Sequence, residues 1–113
     1  NNFSYIKHAS SSKEEDHSLE LLMKMNGEET IIEGLGNGPI DSFVNGLSNK
    51  LGINIKVADY HQSAISSGSD AKAAAYIELE KDGKTFWGVG INPNTTRASF
   101  DAIIVGLSKL LNA

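Results

Sequence analysis

The sequence predicts an α+β fold in which one βββα unit is written twice, with antiparallel sheets, one helix per unit and the two units related by a pseudo-twofold axis. Three observations carry this. Two segments of alternating apolar and polar residues each end in a tight-turn dipeptide, Asn26-Gly27 and Asp82-Gly83. Each chain then returns into the spacing Gly-x-Gly-x-x-Pro, at Gly34, Gly36 and Pro39 and again at Gly88, Gly90 and Pro93. Each finally enters an apolar pattern of helical period containing Gly-Leu-Ser, at Gly46 to Ser48 and Gly106 to Ser108.

In chain order, Phe3 to His8 is expected as the first strand. Ser10 to Asp16 is polar and charged and is expected as a solvated or disordered tip. Leu19 to Met25 alternates as a strand, turns, and is answered by a strand over Thr30 to Gly34. Ile40, Phe43, Val44, Leu47 and Leu51 then mark a helix that Pro39 opens and Gly52 stops. In the second unit, Ile53, Ile55 and Val57 alternate with Asn54 and Lys56 as its first strand. Ala73, Ala75, Ile77 and Leu79 share one face of the next, and Thr85 to Gly88 forms the third. Phe100, Ile103, Ile104, Leu107, Leu110 and Leu111 mark its helix. The chain is expected to be a single domain over 1–113, with repeats at about 3–51 and 53–111. The Gly/Ser-rich segment Gln62 to Asp70 falls at the seam between the copies and is the better functional loop of the two.

Composition narrows the function. With 113 residues the chain is long enough to bury a self-standing core. It has no cysteine, which excludes a disulfide framework, a thiolate zinc site and a cysteine nucleophile and suits a reducing, cytoplasmic setting. Its 10 basic residues are scattered among 14 acidic ones, for a net charge of -4, so no nucleic-acid groove is expected. No apolar run approaches the roughly 20 residues that span a bilayer, and no signal peptide pattern opens the chain, so no membrane association is expected. A start at Asn1 instead of Met suits a piece cut from a longer protein.

The local chemistry is that of a binding module. Gly34 to Pro39 superficially resembles a dinucleotide fingerprint, but Pro39 stands where that pattern needs glycine, and no P-loop Gly-Lys-Ser/Thr follows. Two helix N-termini remain, whose free N–H groups and positive dipole ends suit a small-molecule carboxylate. The alternative is that Asn37 and the glycines simply turn the chain and cap the helix. His8, His17 and His61 show no metal-ligand spacing, so no metal site is expected. Asp59, Tyr60 and His61 are adjacent on a strand and alternate in direction, so they form no relay by themselves. No Gly-x-Ser-x-Gly elbow or other catalytic set is present. Phe86 and Trp87 are expected in the core. Ala71, Ala73, Ala74 and Ala75 mark either close approach of another layer or room for a ligand.

Several motifs in one order give a resemblance. Gly36-Asn37-Gly38-Pro39-Ile40, Asp59-Tyr60, Ala64, Gly68, Asp70-Ala71, Ala73 to Tyr76, Trp87 to Ile91 and Ala98-Ser99 together resemble the regulatory domain of the 2-isopropylmalate synthase family, over residues 3 to 112. The set is most similar to the long-chain form of actinobacteria and fungi. His61-Gln62-Ser63 and the ending Asn112-Ala113 depart from the common pattern. The resemblance implies a duplicated βββα domain that forms a homodimer and binds leucine as a feedback inhibitor between its repeats. It implies a separate catalytic domain on the same polypeptide, a zinc-dependent barrel joining acetyl-CoA to 2-oxoisovalerate, so that this domain needs no cofactor and is not an enzyme by itself.

Carried over by motif, the residues implied for the leucine pocket are Asn37, Gly38, Ile40, Val57, Tyr60, Ala64, Ala71, Ala73 and Ile91. Ile40, Val57, Ala64 and Ile91 would supply an apolar slot, and Asn37, Gly38 and nearby backbone the polar contacts. Gly38 is expected to be required by a strained or closely approached backbone. Two alternatives stand beside this one: an isoleucine-sensing domain of citramalate synthase, and a dimerisation module whose ligand site has lapsed.

Overall fold

A computed structural model describes residues 2–66 and 68–113; Ser67, in the Gln62 to Asp70 segment, lies outside the described residues. The chain forms β1 (Phe3–Lys13), β2 (Asp16–Met25), β3 (Glu28–Gly36), α1 (Pro39–Leu51), β4 (Lys56–Ala64), β5 (Ala73–Lys81), β6 (Lys84–Asn92) and α2 (Thr95–Asn112). Two antiparallel three-stranded sheets, β1-β2-β3 and β4-β5-β6, are each followed by a helix, so the duplicated βββα unit is the architecture. The β2–β3 and β5–β6 turns are built as their dipeptides require. Asn26 (φ 54) and Gly27 (φ 89) match Asp82 (φ 53) and Gly83 (φ 79), the left-handed pair whose twist suits a two-residue hairpin.

Two segments differ from the expectation. Ser10 to Asp16 is no disordered tip: β1 continues to Lys13 and pairs with β2 up to Lys13 opposite Asp16. Its serines are exposed but hydrogen-bonded across the ladder, Ser11 Oγ to Ser18 Oγ at 2.8 Å and Ser12 Oγ to His17 Nδ1 at 3.0 Å. Polarity there reports solvent on both faces, not loss of the ladder. Ile53 to Ile55, expected as strand, precedes β4. Gly52 caps α1 in the left-handed region (φ 67), and the chain folds back so that Ile53 N–H donates to the Ser48 carbonyl and Ile55 N–H to Ser48 Oγ. The apolar alternation there buries Ile55 against the end of the helix, and the strand begins at Lys56 and runs on to Ala64.

Each helix lies on its own sheet, α1 on β2 and β3 and α2 on β5 and β6. The glycines of the Gly-x-Gly spacing permit this. A methyl group on Gly34 would collide with the Ser42 carbonyl oxygen, on Gly88 with that of Ala102, and on Gly90 with that of Ala98. Helix backbone therefore rests directly on strand backbone. From the helix side Gly46 does the same, since a Cβ there would stand 2.8 Å from the Glu33 carbonyl oxygen. Asn45 Nδ2 donates to the Leu35 carbonyl at 2.8 Å, and Ser42 Oγ sits 2.9 Å from the His17 carbonyl oxygen, tying α1 to its sheet. Gly38 is different: its φ of -169° is extended backbone open to any residue, and a Cβ meets nothing within 4 Å. The strain expected at Gly38 is absent.

One apolar cluster joins the repeats, with Leu21, Met23, Ile32, Phe43 and Leu47 of the first continuous with Ile77, Leu79, Phe100, Ile103 and Leu107 of the second. The helices touch each other, α2 reaches β1 and α1 reaches β4, giving two seams. In the α2–β1 seam Phe100 is the centre, edge-on to Phe43 at 5.3 Å and to His8 at 5.0 Å, with Tyr5 at 6.4 Å. Arg97 places its guanidinium 3.9 Å from the centre of the Tyr5 ring, a cation–π contact, and its Nε 3.0 Å from Asp101 Oδ1. The Tyr5 hydroxyl lies 2.7 Å from His8 Nδ1. Burial, then the Arg97 guanidinium and then His17, holds the His8 pKa below its ordinary 6.5.

Two outcomes are expected of this frame. Gly34→Ala and Gly88→Ala each lower the unfolding free energy by about 3 kcal/mol in urea denaturation, the upper end for overpacking because only backbone can yield, while Gly38→Ala stays close to the parent. For His8, the folded pKa is below the unfolded one, so the unfolded chain takes up the proton first. The contribution is complete above pH 6.5 and is lost as the pH falls through 6.5 towards the lower folded value. His8→Gln should flatten the decline of the denaturation midpoint between about pH 7 and pH 5, and an unchanged slope would locate the acid sensitivity elsewhere.

Candidate functional site

The α1–β4 seam is built from the same kinds of parts but closes differently. Both first strands carry a bulge three residues before the turn of their hairpin partner, between Tyr5 and Lys7 and between Val57 and Asp59, which matches Tyr5 with Val57 and His8 with Tyr60. Both helices set an aspartate over the second glycine of the Gly-x-Gly pair. A Cβ on Gly36 would lie 2.8 Å from Asp41 Cβ, and one on Gly90 would lie 2.9 Å from Asp101 Cβ. That matches Ile40 with Phe100 and Asn37 with Arg97. α2 therefore begins a turn earlier than α1 relative to its sheet, and Arg97 of that turn covers Tyr5. At the α1–β4 seam Asn37 lies outside the helix, and Val57 and Ile40 replace two aromatic rings.

The smaller side chains and the missing turn leave an open concavity of about 340 Å³, lined by Asn37, Gly38, Pro39, Ile40, Asp41, Val57 and Tyr60. Its walls are chiefly apolar, from Pro39, Ile40, Val57 and the Tyr60 ring. At its end stands the start of α1, where Gly38 is the N-cap and no side chain caps the helix. At α2, by contrast, Asn94 accepts a hydrogen bond from Arg97 N–H at 2.9 Å. Of the two helix starts expected to suit an anion, only that of α1 lacks a side-chain cap.

Five of the nine residues expected at the ligand site thus gather here: Asn37, Gly38, Ile40, Val57 and Tyr60. Ala64, Ala71 and Ala73 line a neighbouring concavity of about 300 Å³ with Gln62, Pro93 and Thr95. The two lie along one face of β4, since Tyr60, Gln62 and Ala64 pair with Ile77, Ala75 and Ala73 and share their side of the sheet. Gln62 stands between them, its Nε2 3.4 Å from the Thr95 carbonyl oxygen. Ile91 joins neither. It pairs with Ala74 on the opposite face of the sheet and is 53% exposed, in line with Val89 and Trp87. Trp87 is likewise outside the core, 38% exposed and stacked on His61 at 6.2 Å, whereas Phe86 packs against the core as expected. Asp59 and His61 point to this outer face together, Oδ2 to Nε2 at 3.2 Å, with Tyr60 on the other side.

Asp41 on the cavity wall is the residue that sequence reasoning missed; its signal is the alignment of the two helices, which sets it level with Asp101. A larger concavity of about 760 Å³ runs beside β3 and α1, lined by Leu19, Leu35 and Ile55 together with Glu33, Asn45, Asn49, Asn54 and Lys56, and holds none of the residues expected at the ligand site. Among the described residues no group of three or more His, Asp or Glu could hold a metal ion, and no helix is long and apolar enough to cross a membrane.

The family model described as the LeuA allosteric (dimerisation) domain matches residues 3–111. The chain is also similar to curated 2-isopropylmalate synthases. It is 41% identical over 109 residues to that of Mycobacterium leprae, 45% over 87 residues to that of a Parafrankia species and 48% over 86 residues to that of Rhizobium meliloti. These alignments cover 94%, 77% and 76% of the chain but 18%, 15% and 15% of the relatives, so the chain spans less than a fifth of their length. With the duplicated βββα fold and a match that runs through both repeats, the chain belongs to the LeuA allosteric (dimerisation) domain family.

Proposed function

We propose that the chain is the effector-binding and dimerising domain of a 2-isopropylmalate synthase, and that it binds leucine, the feedback inhibitor, in the cavity between α1 and β4. The observation that supports the site is the difference between the seams: the chain's own rings and helical turn complete one, and the other keeps an apolar slot of ligand size beside a helix start without a side-chain cap. The isobutyl group fits against Ile40, Val57 and the Tyr60 ring. The carboxylate meets the N–H groups at the start of α1, where the dipole favours negative charge. Condensation of acetyl-CoA with 2-oxoisovalerate belongs in this proposal to a separate catalytic domain that holds the divalent metal. Leucine alters that remote chemistry only to the extent that it binds one conformation of the whole enzyme better than another.

For the homodimer we propose the outer face of the second sheet. Tyr76, Trp87, Val89 and Ile91 are all exposed there, three of them in succession along β6, and the family is one of dimerisation domains.

Calorimetric titration with leucine, isoleucine and valine tests the ligand. Leucine is expected to bind one per protomer and most tightly; preference for isoleucine would favour a citramalate synthase domain, and silence from all three on a folded dimer would favour a lapsed site. Val57→Phe should fill the slot and weaken leucine by about tenfold or more with the fold intact, since added volume beside a cavity costs less than in a packed core. Ala71→Leu asks the same of the neighbouring concavity. Val89→Lys should turn the dimer into a monomer in light scattering, because a buried unpaired charge opposes association.

A further inference from the structure

We infer that Asp41 receives the α-ammonium group of the effector, and so selects an amino acid over a branched carboxylate that lacks the amine. This rests on the proposed leucine site and adds the residue that reads the ligand's positive charge. The argument comes from the paired seams. Asp41 and Asp101 occupy the same station, each with its Cβ above the second glycine of a Gly-x-Gly pair, Gly36 and Gly90.

At Asp101 the chain supplies its own cation. Arg97, one helical turn earlier, places Nε 3.0 Å from Oδ1 and lays its guanidinium over the Tyr5 ring. At Asp41 the residue one turn earlier is Asn37, which is neutral and lies outside α1, and Asp41 takes part in no ion pair among the described residues. Opposite stands Val57, where the other seam has Tyr5, and the volume between them is the cavity, with Asp41 on its wall. One carboxylate is neutralised from within the chain. The other is exposed on the wall of the concavity, where a small cation can reach it from outside.

Charge complementarity completes the argument. An amino acid is a zwitterion, and here its carboxylate meets the start of α1 while its ammonium meets Asp41 in the first turn of the same helix. A plain branched carboxylate would still meet the start of α1 but would bring its negative charge beside Asp41 with no ammonium to answer that aspartate, so the same residue that attracts the amino acid disfavours its deaminated analogue.

The test is titration of the chain, as wild type, Asp41→Asn and Asp41→Glu, with leucine and with 4-methylpentanoate, which is leucine without its amine. The wild type is expected to prefer leucine. Asp41→Asn should lose about tenfold or more of the leucine affinity, the scale of a hydrogen bond to a charged group, while 4-methylpentanoate binds as well as before or better. Asp41→Glu, which restores the carboxylate, should restore the preference. Undiminished leucine binding by Asp41→Asn would overturn the assignment, and so would an equal loss for both ligands, which would make Asp41 a support of the helix start. Absence of leucine binding by the wild type is a separate result, which removes the proposed site and this assignment with it.

Discussion

The structure depends on helix backbone lying against strand backbone. Gly34 under Ser42, Gly88 under Ala102 and Gly90 under Ala98 leave no side chain between the layers, so the centre of each helix sits closer to its sheet than any other residue would allow. The larger apolar side chains are then displaced to the flanks of the helices, where Phe43 and Phe100 meet and weld the two repeats into one core. A spacing that in another setting cradles a phosphate serves here as a bearing surface. It also sets the height at which each helix begins, and so the shape of the crevice beside that beginning.

From that common frame the two seams part company through a small difference. One extra turn at the start of α2 brings Arg97 over Tyr5 and within reach of Asp101, and Phe100 fills the middle. α1 starts later, on Pro39, and offers Ile40 and Val57 instead. Duplication thus supplied two equivalent crevices, of which one is now structural. The filled one holds an apolar ring with a guanidinium set against an aspartate, and the other keeps the aspartate and the apolar walls without the cation.

Much of this was legible in the sequence, and the limits were physical. Asn26-Gly27, Asp82-Gly83, Pro39 and Gly52 act through their own backbone preferences, so their turns and helix ends could be placed without knowing what surrounds them. Ser10 to Asp16 and Ile53 to Ile55 could not, because their conformation is decided by hydrogen-bond partners on the adjoining element: β2 for the first and Ser48 of α1 for the second. Of the residues implied for the ligand, Asn37, Gly38, Ile40, Val57 and Tyr60 share one concavity, but Gln62 stands between them and Ala64, and the sheet itself separates them from Ile91. Strand alternation fixes which residues share a face and says nothing of which face another molecule covers. Gly38 was singled out for strain it does not have; with its backbone extended and space beside it, a need for glycine there would come from a bound molecule.

The chain's single tryptophan is Trp87, and its ring lies on the outer face of the second sheet with His61 stacked against it. Intrinsic fluorescence therefore reads that surface instead of the hydrophobic interior. The indole belongs to β6, which carries α2 on its other side, so an optical label native to the molecule stands where changes in sheet twist and in coverage of the face would both alter its emission. No engineered probe is needed to follow events there in solution.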